Sequence, residues 1–323
     1  MNTVSHCRGG IRIYIVGVVS LAVCQGLGAA SVAELLEGGH YKRAKAAAEE
    51  RLRANPMDAE AQYALGRSLG ALGKWQEAVG PAEKALALDG GKAVYHHLIG
   101  DVAGQMAMRA PIYKQLGWAR QAKKEFEAAY EIEAGNLDNL FSLANYLWQA
   151  PGLFGGDRKR ARDLVEAAKK VDACRGYLTE AFLHGVVKNN EAELGALLKA
   201  AELAPRCYDA RAGLAAYYAR RRDWSAAARQ AEDAIGIDGA RGWGYEILAG
   251  ALGAQGKMEL DPLLKRAEAA VPDDLRPHWA ASRTVKDSRL AGEYLRKYRS
   301  QEPEGLPSAM QPGKSAAPVL KWE

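Results

Sequence analysis

The sequence predicts an all-α solenoid of antiparallel helix pairs, and three observations carry that expectation. The alphabet is dominated by Ala, Leu, Glu, Lys and Arg, residues of high helix propensity, and 48% of the chain is hydrophobic with only four Phe. That apolar content suits thin helices in close contact more than a deep globular core. The chain also aligns with itself at a period of about 34 residues, the length of one helix-turn-helix unit. Finally, Pro56, Pro205, Pro272 and Pro303 fall in phase with that period and close the units they follow.

Taken in order, residues 1–30 read as an export signal. Arg8 and Arg12 precede an uncharged apolar run from Ile13 to Cys24, and Gly28-Ala29-Ala30 follows. The run is too short to span a bilayer. A rival reading takes Leu21-Ala22-Val23-Cys24 as a lipoprotein signal with Cys24 acylated, although Val23 stands where such signals carry a small residue. Cleavage after Ala30 removes two arginines and no acids, lowering the formal charge from +5 to +3. The expected location is periplasmic or secreted.

The repeats begin at Val32, with a short leading helix suited to a terminal cap. Residues 61 to 90 are the clearest copy. Leu65-Gly66 sit in a first helix, Gly73 and Trp75 mark the turn, Ala78, Ala82 and Ala85 line a second helix, and Asp89-Gly90 end it. The small residue at the first close contact of the second helix recurs as Ala44, Ala78, Ala122, Ala161, Ala227 and Ala291, with Glu193 and Asp261 as departures. The spacing stretches twice, before Ala122 and before Ala161. Residues 107 to 116 and 150 to 156 are therefore expected as lengthened hairpin loops between the two helices of their own units. In the second, Pro151 stops a helix, Gly155 and Gly156 allow unusual backbone, and Asp157 caps the next helix. Arg158, Lys159 and Arg160 then stand in a first turn, where the helix dipole disfavours cations.

Forty-four basic and 39 acidic residues are mixed without a long run of one sign, which argues against a dedicated nucleic-acid surface. No catalytic constellation emerges. His96 and His97 are adjacent and so point about 100° apart on a helix, and no two histidines stand at i, i+4. The run "GLFGGDRKR" lacks the Gly-Lys-Ser/Thr ending of a phosphate loop. No metal, cofactor or enzymatic activity is expected. Cys174 and Cys207 lie one repeat apart. An oxidising compartment favours their pairing, whereas helices stacked about 8 to 10 Å apart exceed the roughly 7 Å that a disulfide bridges, so a bond and two separate thiols are both open.

The copy at residues 61 to 90 resembles the tetratricopeptide repeat, in which small residues let paired helices approach and large ones fill the gaps between neighbours. The loop Tyr146, Ala150-Pro151-Gly152, Gly155-Gly156, Arg160-Ala161, with the later "LRKYRSQEPEG", is similar to a group of exported bacterial tetratricopeptide proteins of undefined activity. The resemblance implies a right-handed superhelix over residues 31–305. In proteins of that group the "EPEG" segment leads into further helix, whereas here Pro307, Pro312 and Pro318 make residues 306–323 read as an unstructured tail. With no catalytic constellation, the expected function is a non-enzymatic scaffold of the cell envelope binding a protein or peptide in the groove; the alternative is an adaptor of an envelope assembly, tethered to a membrane through lipidated Cys24. The resemblance also implies a concave wall made by the second, fifth, ninth, twelfth and thirteenth places of each first helix. Those places hold Tyr63 and Arg67; His97, Asp101 and Gln105; Asp138, Phe141, Asn145, Trp148 and Gln149; Arg175 and Phe182; Asp209 and Arg220; and Trp243 and Glu246. Phe141, Asn145, Trp148 and Gln149 share one helical stripe, which reads either as packing against the neighbouring repeat or as a partner contact.

Overall fold

The computed structural model describes residues 31–37, 40–272 and 274–300. The export signal with Cys24 and the tail after residue 300 lie outside the described residues. The described residues from Val32 onward belong to one compact unit. Among the described residues the regular structure is helical, with no strand.

The helices follow one another in eight pairs: α1 Val32–Glu37 with α2 Tyr41–Ala54, α3 Ala59–Ala71 with α4 Trp75–Leu88, α5 Ala93–Arg109 with α6 Ile112–Ile132, and α7 Leu137–Gln149 with α8 Arg158–Val171. The C-terminal half continues with α9 Ala173–Val186 and α10 Asn190–Leu203, α11 Tyr208–Arg220 and α12 Trp224–Ile237, α13 Gly242–Gln255 and α14 Leu260–Ala270, then α15 Arg276–Thr284 and α16 Ser288–Ser300. Side chains close many of the helix starts. Asp58, Asn136 and Asp172 cap first helices, and Asp157, Asn189 and Asp223 cap second helices, each accepting from a backbone N–H of the first turn.

Second helices touch both their own partner and the first helix of the next pair, so each pair buries its apolar stripe only against neighbours. First helices of successive pairs also touch one another: α3 with α5, α7 with α9, α9 with α11, and α11 with α13. No comparable contact joins successive second helices among the described residues. The stack therefore curves with its first helices on the inside.

The recurrent alanines sit where paired helices cross. Ala44, Ala78, Ala122, Ala161 and Ala227 are completely buried, since a larger side chain there would force the axes apart. Glu193 occupies the equivalent place in α10 and is also buried. Room comes from Gly185, where a Cβ would stand 3.1 Å from Glu193 Cδ, and the carboxylate is neutralised by Arg220, with Arg221 at 3.9 Å. Asp261 departs for another reason. Helix α13 packs far more on α15 than on its partner α14, so Asp261 is exposed and accepts a hydrogen bond from Tyr294 Oη at 2.6 Å.

The first of the two expected loops is a helix. Residues 107–116 lengthen α5 to 17 residues and α6 to 21, leaving Ala110 and Pro111 as the connection. Pro111 is compatible with this because its missing N–H falls ahead of the helix, and Ala, Met, Arg, Lys, Gln and Leu dominate both flanks. The second insertion is a loop, with one 3-10 turn at Gly152–Phe154. Gly155 has φ +85°, and a Cβ on Gly156 would stand 1.8 Å from Ala150 O. Asp157 Oδ1 accepts from Lys159 and Arg160 N–H at 3.0 Å, which offsets the three cations in that turn.

Candidate functional site: the inner wall of first helices

Because first helices line the concave side, residues facing inward from α3, α5, α7, α9, α11 and α13 form one continuous wall. Its N-terminal part is polar. His97 Nε2 lies 2.9 Å from Ser142 Oγ, crossing from α5 to α7, and 3.8 Å from Asp101 Oδ2. His96, one residue earlier, turns away and places Nδ1 2.6 Å from Glu125 on α6, as its 100° offset requires. Tyr63 stacks on Tyr95 with ring centroids 5.3 Å apart. Burial pushes the Tyr63 hydroxyl pKa up, against the pull of Arg67. Asp101 keeps 42% of its side chain open to water, yet the surrounding wall desolvates it and raises its carboxyl, with His97 and Arg67 opposing. Gln105, one turn further along α5, accepts from Arg109.

The middle of the wall is aromatic. Phe141 on α7 meets Phe182 on α9 edge to face at 5.1 Å, and both rings are half-buried. Beside them Gln149 donates its amide to Asn145 Oδ1, and both amides reach solvent. Trp148 belongs to the core. It is 8% exposed, His184 meets its ring at 5.9 Å, and the Arg158 guanidinium covers it at 5.4 Å. Its Nε1 is buried without a hydrogen-bond partner. A ring enclosed in this way braces the wall instead of offering its face to a partner.

One edge of the wall carries a ladder of ion pairs between successive first helices. Glu60 faces Lys92, Asp138 faces Arg175, and Asp209 faces Arg241. These pairs are well exposed, and each is worth about 1 kcal/mol or less, so they mark register more than they stabilise. Near the same edge Cys174, in the first turn of α9, is bonded to Cys207, the residue before α11, with Cα atoms 6.6 Å apart. Helix starts on the inner wall thus approach more closely than the axes of stacked pairs.

Toward the C-terminus Trp243 is partly buried beside Tyr208, whose hydroxyl accepts from Gly244 N–H at 2.7 Å. Glu246 stands 3.8 Å from Arg276 Nη1 on α15. Burial is the main reason its carboxyl is pushed up to about 7, partly opposed by Arg276 and reinforced by Asp274. Arg220 is committed elsewhere. It pairs with Glu193 on the preceding second helix and so lies at the hairpin edge. Sequence reading missed the supporting roles of Ser142 and His184, and it singled out Arg158 for its place in a first turn but not for its contact with Trp148. Only their neighbours on other helices give them a role, and no local motif signals it.

No cluster of three metal-ligating side chains occurs among the described residues, and none of their helices is long and apolar enough to cross a membrane. No protein-family model and no curated protein matches the chain. Among solved structures it is similar to a thermophilic tetratricopeptide protein of Thermus thermophilus, at 21% identity over 56% of this chain and 91% of that one, with a TM-score of 0.47. A tetratricopeptide repeat protein from Parabacteroides merdae aligns at 16% identity over 82% and 94%, with a TM-score of 0.43. Yeast Tom70 aligns at 14% over 82% and 68%, with 0.39. The assignment of fold rests on the chain's own features: serial antiparallel pairs, alanines buried at most crossings, and first helices stacked along the inside make this an all-α solenoid of tetratricopeptide-like antiparallel helix pairs.

Proposed function

We propose that the protein is a non-enzymatic scaffold of the bacterial cell envelope that holds a protein or peptide segment along its inner wall. The observation that carries the reading is the mixed surface around Phe141 and Phe182. Two half-buried rings offer apolar area, and the neighbouring Asn145 and Gln149 amides can exchange their mutual hydrogen bond for one to a partner backbone. The polar stretch of Tyr63, Arg67, His97 and Asp101 extends the same wall toward the N-terminus and supplies charged contacts of both signs. Export to an oxidising compartment agrees with the bridge between Cys174 and Cys207 and with the three-part leader at residues 1–30.

The test is site-specific photocrosslinking in the native envelope. A crosslinker replacing Phe141 or Phe182 should yield one discrete protein adduct, while the same probe at exposed Lys84 on α4 should yield none. Adducts from Lys84 alone, or equal adducts from all three positions, would refute an inner-wall site.

A further inference from the structure

The second insertion packs on the helix that the first one lengthens. Tyr146 Oη lies 2.7 Å from Ala119 O on α6 and 2.6 Å from Phe154 O in the 150–156 loop, sharing one proton between the two carbonyls. Arg160 on α8 pairs with Glu127 on α6. The lengthened α5–α6 hairpin and the loop therefore form a single surface. Seven residues of α6 precede Ala119, so the hairpin tip projects about 10 Å past that junction.

This surface is unlike the rest of the molecule in charge. Residues 105–124 and 150–160 together carry eight cations and one acid, Asp157, in a chain with 44 basic and 39 acidic residues. Asp157 is used as a helix cap, Arg160 is held by Glu127, and Arg158 lies over Trp148. Lys114, Arg120, Lys123 and Lys159 make no ion pair within 4.0 Å among the described residues. Arg120, Lys123 and Lys124, with the Arg160-paired Glu127, border a shallow cavity of about 300 Å³ against Gly152 to Gly155.

The apolar residues on the surface are equally unusual. Ile112 is 83% exposed, Tyr113 76% and Leu153 78%. Tyr113, Arg120 and Lys124 fall at i, i+7 and i+11, on one stripe of α6. Large apolar side chains thus stand on a projection, with cations behind them and beside them. A protein groove would present the reverse relief, an apolar floor within a concave rim. Apolar and aromatic tips ringed by Lys and Arg match an anionic lipid surface, where tips enter the headgroup layer and cations meet phosphates.

We infer that the α5–α6 tip and the 150–156 loop dock the solenoid on an anionic membrane surface, leaving the inner wall free. Ile112, Tyr113 and Leu153 enter the interface, and Lys114, Arg120, Lys123 and Lys124 bind lipid phosphate. The docking is peripheral and does not depend on the inner-wall reading.

Cosedimentation of the compact unit from Val32 onward with phosphatidylglycerol/phosphatidylcholine vesicles and with pure phosphatidylcholine vesicles tests this. Binding should favour the anionic vesicles by roughly tenfold or more and weaken as salt rises. The variants Ile112→Asp/Leu153→Asp, at exposed sites, and Lys114→Glu/Lys124→Glu should each lower it at least about tenfold with unchanged helical dichroism. Equal binding to both vesicles, no binding to either, or variants that bind like the parent would overturn the proposal. Capture of soluble polyglutamate without vesicle binding would also overturn it, by assigning the patch to an acidic protein.

Discussion

The ring of His184 meets Trp148 edge-on, with centroids 5.9 Å apart, and locks a first-helix indole between two successive repeats. Arg158 from the following helix closes its other approach at 5.4 Å. Trp148 is therefore a joint between pairs, and its removal should open a cavity in the largest buried cluster. Trp148→Ala is expected to cost about 3 to 5 kcal/mol. Urea denaturation followed by far-ultraviolet dichroism measures this. A change below about 1 kcal/mol would place the ring outside the core.

Glu246 makes stability depend on pH in a stated direction. Its carboxyl is raised from an ordinary value of 4.5 to about 7 in the folded protein, mainly by burial. Between those values the folded chain holds a proton that the unfolded chain has lost, so this group's contribution to stability falls as pH rises from 4.5 through 7. The full effect is bounded at about 3 kcal/mol. Glu246→Gln should be less sensitive than the parent over that window, and the difference between the two unfolding curves below and above it reads the effect. Parallel pH dependence in both proteins would remove Glu246 as the source.

The bridge between Cys174 and Cys207 closes a loop with a sequence separation of 33 residues. In the chain-entropy account a loop of that length contributes about 3 to 4 kcal/mol. Cys174→Ser and Cys207→Ser should each lose that stability, and the double variant should lose no more than either single one. Thiol-reductant titration of the parent should reproduce the same loss. Additive losses in the double variant would mean that the cysteines act separately.

Gly156 is the tightest point of the second insertion. A Cβ there would stand 1.8 Å from Ala150 O, beside the Asp157 N–H donated to Leu147 O at 2.9 Å. Gly156→Ala should cost about 2 to 4 kcal/mol, while Gly152→Ala, which meets nothing within 4 Å, should be nearly neutral. Equal melting temperatures for the two variants would show that the loop can rearrange.

Sequence periodicity, caps and small residues determined the serial helix pairs, because each unit buries its stripe against a similar neighbour and local spacing then repeats the contact. Ala44, Ala78, Ala122, Ala161 and Ala227 were legible for that reason, as was Asp157 as a cap. Tertiary structure decided whatever depends on two distant segments meeting. The spacing before Ala122 showed extra residues but not their form, since a single proline ahead of a helix serves a loop or a helix start equally well. Phe141 and Trp148 share one stripe, yet only His184 and Arg158, brought in from other helices, make Trp148 core while Phe141 stays half-open. Glu193 is tolerated at an alanine position because Gly185 leaves the volume and Arg220 the countercharge, an agreement among residues of α9, α10 and α11 that no local pattern encodes.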